Sequence, residues 1–171
     1  SPTGTPVNGW GPFERDRSDG QAAAGDGGPI TIGGVTSVKG LGVHAASDLR
    51  FSVPAGCSTF SASVGVDDEV GANGSVVFEV WNGTASRLYQ SATKTGSDAA
   101  TAVSVPLSGV STVRLVVTDA GNGINYDHAD WADAKLACTA SGPDTFAPVV
   151  SGVVATPGST SATVTWSTNE P

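Results

Sequence analysis

This sequence predicts an all-β fold, a jelly-roll β-sandwich of two antiparallel sheets, from three observations. Twenty-three glycines and ten prolines in 171 residues, among abundant Ser, Thr and Val, describe short strands joined by turns. Apolar residues recur at alternate positions in one run after another, the period of a strand with one buried face. No window sustains an apolar repeat at helical spacing, and the alanines at 22–24 are too few to stand as a helix alone.

The elements follow in order. Residues 1–7 read as a linker, and a polar, glycine-rich lead continues to residue 29. Strand signals open with "ITI" at 30–32 and "VTSVKGLGVHA" at 35–45, then "DLRFSV" at 48–53. In "TFSASVGVD" the residues Phe60, Ala62, Val64 and Val66 share a face. In "SVVFEVWNG" the residues Val76, Phe78 and Val80 do so, which turns Trp81 outward. Asn82-Gly83 is a hairpin signal because both residues tolerate positive φ. "RLYQSATK" returns, followed by "TAVSVPLSG" and by "TVRLVVTD", where Val113, Leu115 and Val117 alternate. "DWADAKLAC" closes a unit of eight or nine strands, with Ala132, Ala134 and Leu136 expected on one face and Trp131, Asp133 and Lys135 on the other. Two stacked sheets bury such faces best.

The formal net charge of −8 argues against nucleic acid, which calls for a basic face, and against an anionic membrane surface. It suits cations or neutral ligands. No stretch reads as a membrane span or a signal peptide. Cys57 and Cys138 are the two cysteines, each near the end of an apolar run. A lysine-poor, Ser/Thr/Gly-rich chain looks secreted, so a disulfide between them is expected, with two buried thiols as the alternative. The bridge would close 81 residues, a constraint of roughly 4.5 kcal/mol on the loop-entropy model.

After Cys138 the texture changes. Residues 139–147 read as a second linker. Residues 148–171 resemble the opening of a fibronectin type III domain, a first strand, a turn and a second strand bearing the core tryptophan, Trp166. Such a domain needs about seven strands and about 100 residues, so these residues cannot cover their own faces, and a tail-mediated dimer is one way to cover them.

"KGLGVHAASDLRFSV", "FSASVGVDDE", "GSVVFEVWNG", "VRLVVTDAGNG" and "DHADWADAKL", in that order and spacing, resemble the NPCBM family over residues 8–138. The resemblance implies a galactose-binding-domain-like jelly roll, frequently with a structural calcium, that binds a glycan without chemistry. Galactose-type sugars are the first candidates, and an attached secreted bacterial glycoside hydrolase is the expected partner. A structural or adhesive spacer is the alternative.

Physical chemistry selects the residues. Carboxylates accept from neighbouring hydroxyls, imidazoles donate or accept, and an aromatic ring stacks on the apolar C–H face of a galactose-type sugar. His44, Asp67, Asp127, His128 and Trp131 are therefore the expected sugar contacts, with the core as the alternative place for Trp131, a structural cap for His44 and a solvated turn for Asp67, and with Trp10, Trp81 and Tyr126 as rival platforms. Calcium requires several oxygens. Asp119 and Asp127 bracket a glycine loop and the lead is acidic, so Asp16, Asp26, Asp119 and Asp133 are the expected ligands. No G-x-S-x-G, H-E-x-x-H or P-loop pattern is present, and two histidines with two cysteines form no recognised zinc spacing. An enzyme is not expected.

Overall fold

The computed structural model describes residues 1–139 and 149–168. It divides into two units, Ser1–Thr139 and Ala140–Pro171.

The strands of the first unit are β1 (Glu14–Arg15), β2 (Ile30–Ile32), β3 (Val35–Ser37), β4 (Gly40–His44), β5 (Ser47–Ser52), β6 (Cys57–Val66), β7 (Ser75–Asn82), β8 (Ser86–Gln90), β9 (Lys94–Thr95), β10 (Thr101–Pro106), β11 (Thr112–Thr118) and β12 (His128–Cys138). One 3₁₀ turn, Asp68–Val70, follows β6. One sheet runs β1-β4-β12-β6-β10; the other runs β5-β11-β7-β8, with β9 beside β7. All these pairings are antiparallel.

The alternation read from the sequence becomes the packing. Val43, Phe60, Val64, Val66, Val103 and Ala129 of the first sheet meet Leu49, Val76, Phe78, Val80, Val113, Leu115 and Val117 of the second. Trp131 stands at the centre, fully buried, with Phe78 at 5.1 Å and Phe60 at 5.9 Å, both edge-on. Between β7 and β8 the chain turns through Gly83, whose φ of +50° suits glycine.

A second layer covers the outside of the β4-β12-β6 sheet. The lead crosses over it, and Ile30 and Ile32 pack on Ala132 in a small cluster of their own. Gly42 makes the crossing possible: a Cβ there would run into the Arg17 carbonyl and the Ser18–Asp19 peptide.

Three expectations need correction or restatement. Residues 1–7 are not a free linker, because Thr3 donates to the Arg50 carbonyl at 2.7 Å and Val7 exchanges backbone bonds with Asp48 at 3.1 and 3.0 Å, extending the edge of β5. The second expected linker, 139–147, lies outside the described residues except for Thr139. Strict alternation fails in β12: the register with β6 shifts between Ala132 and Lys135, and Asp133 takes φ +52°. This bulge keeps Ala134 and Leu136 on the same core side as Trp131. Cys57 and Cys138 are joined by a disulfide.

The second unit is a hairpin of β13 (Val150–Pro157) and β14 (Ala162–Thr168). Its described residues are exposed, Val153, Val154, Val164 and Trp166 among them.

Candidate ligand-binding site

Where the lead stops covering the outer sheet face, at the start of β12, polar groups converge. His128 opens β12 opposite His44, the last residue of β4, so the two side chains share the outer face. Their ring centroids are 5.1 Å apart and nearly perpendicular. Two residues further along, Asp130 sits between Gly42 and Gly65 on the same face.

Asn8 ties the lead to this end. Its Oδ1 accepts from the His44 backbone N–H at 2.7 Å, and its Nδ2 donates to the Trp10 carbonyl at 2.7 Å and to Asp19 Oδ1 at 2.8 Å. Gly9 N–H donates to the His44 carbonyl at 3.0 Å. Trp10 thus emerges beside His44 with 53% of its surface exposed. On the other flank Tyr126, 59% exposed, precedes Asp127. Asp127 is held by Ser75 N–H on Oδ1 at 2.8 Å and by Ala45 N–H on its carbonyl at 3.1 Å.

Asp19 Oδ2 and Asp127 Oδ2 are buried without a protein hydrogen-bond partner, whereas the wholly buried Asp130 carboxyl lies against Asp67, to which it can donate when protonated. Buried polar groups are normally paired; these carboxyls lie beneath the surface and set the charge of the cluster, while His128, Trp10 and Tyr126 reach its surface. Burial raises the Asp127 and Asp130 carboxyls above the ordinary range, and Asp67 beside Asp130 raises it further. Burial pushes Asp19 up to about 7, against the lowering effect of the Asn8 amide. The Glu69 carboxylate, 2.6 Å from His128 Nδ1, raises the His128 imidazole, while burial lowers His44, whose Nδ1 lies 2.8 Å from the Ala45 carbonyl.

The fold therefore brings together four of the five expected sugar contacts, His44, Asp67, Asp127 and His128, though not in equal roles. Asp67 is 2% exposed, and its oxygens accept from Thr31 N–H and Glu69 N–H, both at 2.9 Å. It locks the loop to β2 and has no free lone-pair direction toward solvent. Trp131 is a correction: the Asp133 bulge sets it into the core, where no ligand reaches it. Trp81, turned outward, is flanked by Arg87 at 5.6 Å and Arg114 at 5.8 Å and donates to Glu79 at 2.7 Å, so its ring faces are occupied. Trp10 and Tyr126 remain as open aromatic surfaces. Asn8 and Glu69 were not singled out by the sequence; Glu69 follows two aspartates in a loop, a setting that reads as simple solvation.

The expected calcium set does not assemble. Asp16 pairs with Lys39 at 2.7 Å, Asp26 accepts from the N–H groups of Gln21, Ala22 and Ala23, Asp119 from Gly121 N–H, and Asp133 from the Ser37 hydroxyl. Among the described residues no group of three or more His, Cys, Asp or Glu side chains is placed to hold a metal ion. These side chains are engaged in local backbone, hydroxyl and ion-pair contacts and do not converge on one point.

A separate recess of about 760 Å³ is lined by Leu41, Phe51 and Phe60 together with charged side chains, among them Arg15, Lys39 and Lys135. It shares no residue with the polar cluster and holds none of the unpartnered buried oxygens. A sugar is oriented by hydrogen-bonding groups beside an open aromatic face, and the imidazoles with Trp10 and Tyr126 favour the cluster as the sugar site.

Residues 2–137 match the family model described as the NPCBM/NEW2 domain. The chain is 45% identical over 149 residues to a Renibacterium salmoninarum protein named "Putative endo-alpha-N-acetylgalactosaminidase", spanning 86% of this chain and 10% of that protein. Among solved structures it is similar to the CBM51 of Clostridium perfringens GH95 in complex with methyl-galactose, with TM-score 0.69 and 34% identity over 78% of this chain and 92% of that one. It is also similar to CBM51-2 in complex with GlcNAc, with INT domains, from Clostridium perfringens ZmpB, at TM-score 0.66 and 29% identity, covering 77% of this chain and 29% of that one. The chain spans about a tenth of the length of the first curated relative.

Proposed function

The chain belongs to the NPCBM/NEW2 domain family, and we propose that it is a non-catalytic carbohydrate-binding module for galactose-type glycans, holding an attached secreted glycoside hydrolase near its substrate. One observation supports the site assignment: two imidazoles stand together on the outer sheet face, near the exposed aromatic residues Trp10 and Tyr126, on a fold shared with a module solved with methyl-galactose. Trp10 or Tyr126 supplies the surface for the apolar sugar face, while His44 and His128, above the buried carboxyls of Asp19 and Asp127, meet its hydroxyls. The benefit to the hydrolase is effective concentration. The disulfide suits an oxidising, extracellular setting. In the second unit, β13 and β14 are read as the first two strands of a fibronectin type III-like domain, with Trp166 as its core residue.

Titration calorimetry of the chain with methyl galactoside and N-acetylgalactosamine tests this. We expect a weak single site, reduced more than tenfold by Trp10→Ala and by His44→Ala, and unchanged by Arg114→Ala on the opposite sheet. Chelation is expected to leave binding unchanged, since the expected calcium ligands are engaged elsewhere. Full binding in both site variants would move the site away from this cluster. Absence of binding to these sugars and across a glycan array would leave a structural spacer as the function.

A further inference from the structure

The two histidines of the site differ in what their outward nitrogens can do. His44 Nδ1 is 2.8 Å from the Ala45 carbonyl oxygen. A carbonyl only accepts, so Nδ1 carries the proton, and in a neutral imidazole Nε2 is left as a bare acceptor. His128 Nδ1 is 2.6 Å from Glu69 Oε1. A carboxylate also only accepts, so this Nδ1 carries a proton too. If both rings were neutral, the site would present two acceptors.

The surroundings separate them. His128 faces carboxyl groups from every neighbouring element: Glu69 on the 3₁₀ turn, Asp19 on the lead, Asp67 after β6 and Asp127 in the preceding loop. Glu69 is itself fixed, because its Oε2 accepts from the Ser18 hydroxyl at 3.2 Å, and Ser18 is fully buried. His44 has no carboxylate hydrogen-bonded to its ring, only the Asp127 carboxyl nearby, and it sits deeper and lies against His128, whose charge opposes a second one. The pair therefore divides one proton load unequally, an arrangement that assigns separate roles to two like groups.

We propose that His44 and His128 form a polarity-matched pair that reads a vicinal diol, His44 Nε2 accepting from one hydroxyl and the His128 imidazolium donating its Nε2–H to the next, with Glu69 as the positioning residue. The proposal rests on the reading of this cluster as the sugar site and deepens it by naming the ligand chemistry. Each hydroxyl of a diol both donates and accepts, so one acceptor and one donor side by side fit two adjacent hydroxyls. Two acceptors would leave one oxygen's lone pairs unmatched on binding, and a desolvated polar group without its partner loses affinity.

The chain has two histidines, so long-range ¹H–¹⁵N correlation spectra of the whole chain read both rings without assignment ambiguity. We expect His44 to be neutral with its proton on Nδ1 at pH 6.5, and His128 to be charged there and to titrate above the ordinary midpoint of about 6.5. Glu69→Gln keeps an acceptor for Nδ1 and removes the charge; it should lower the His128 midpoint and move the fall in methyl galactoside affinity to lower pH by the same amount. A variant that merely loosens the loop would weaken binding equally at all pH values. Among methyl galactosides deoxygenated at positions 2, 3 and 4, two adjacent positions should each lose more than tenfold.

An Nε2–H tautomer at His44, a neutral His128 at pH 6.5, or calorimetric binding that stays flat from pH 5 to 9 would overturn the proposal while leaving the sugar site standing. Binding that survives His44→Ala unchanged would overturn both together.

Discussion

Asp19 and Asp67 show how one side-chain type takes opposite parts within a single cluster. Asp67 has both oxygens satisfied by backbone N–H groups and ties the loop to β2. Asp19 has one oxygen on Asn8 and one left bare in the interior, so ionising it is costly. A carboxyl raised in the folded state binds more protons than in the unfolded chain between the two midpoints. Its contribution is therefore fully present below the ordinary value near 4 and is lost as the pH rises toward about 7. Asp127, Asp130 and His128, all raised, act in the same direction, and His44, lowered by burial, acts against them below about 6.5. Denaturant unfolding of the chain should show stability falling from pH 5 to pH 8, and Asp19→Asn should flatten that slope without abolishing it. Equal slopes in the two proteins would mean Asp19 is solvated and ionised throughout. Neither role was legible in sequence, because an aspartate in a glycine-rich loop looks the same whether its oxygens meet water, backbone or nothing.

β12 is the element on which the sequence reading both succeeded and failed. Strands such as β7 and β11 were legible because alternation is enforced by burial: Val76, Phe78 and Val80, and Val113, Leu115 and Val117, all reach the core. Alternation in β12 is interrupted at Asp133, a residue that tolerates the left-handed region better than most. One extra residue reverses the faces that follow it, so Trp131 could not be placed by counting back from Leu136. The core reading of Trp131 has a stability consequence. Trp131→Ala removes the ring that fills the space between Phe60 and Phe78 and should cost about 3–5 kcal/mol in chemical denaturation. A loss below about 1 kcal/mol would be incompatible with a fully buried ring. The site end of β12 was legible as a concentration of acids and histidine, yet the partners that give it shape, Asn8 and Glu69, come from distant segments.

For the molecule, the sheets are held by apolar burial and closed at one end by the Cys57–Cys138 bridge, which spans 81 residues. Replacing both cysteines by serine should lower stability by up to about 4.5 kcal/mol on the loop-entropy model, read as a fall in the denaturation midpoint with little change in galactoside affinity measured where the variant is folded. Affinity lost in step with the bridge would instead tie the site to that end. The polar cluster and the bridge sit at opposite ends of β12, and this separation has a mechanical meaning. β12 is 11 residues long, roughly 35 Å of extended chain. Tension between a ligand held at His128, as proposed above, and the chain at Thr139 would run lengthwise along this strand. The antiparallel ladders to β4 and β6 on either side then resist as a group in shear, with no single pair opening first as in a zipper. Were a ligand held at His128 and the load applied beyond Thr139, the ladders would share it, and the Cys57–Cys138 bridge would pass part of it directly to the start of β6.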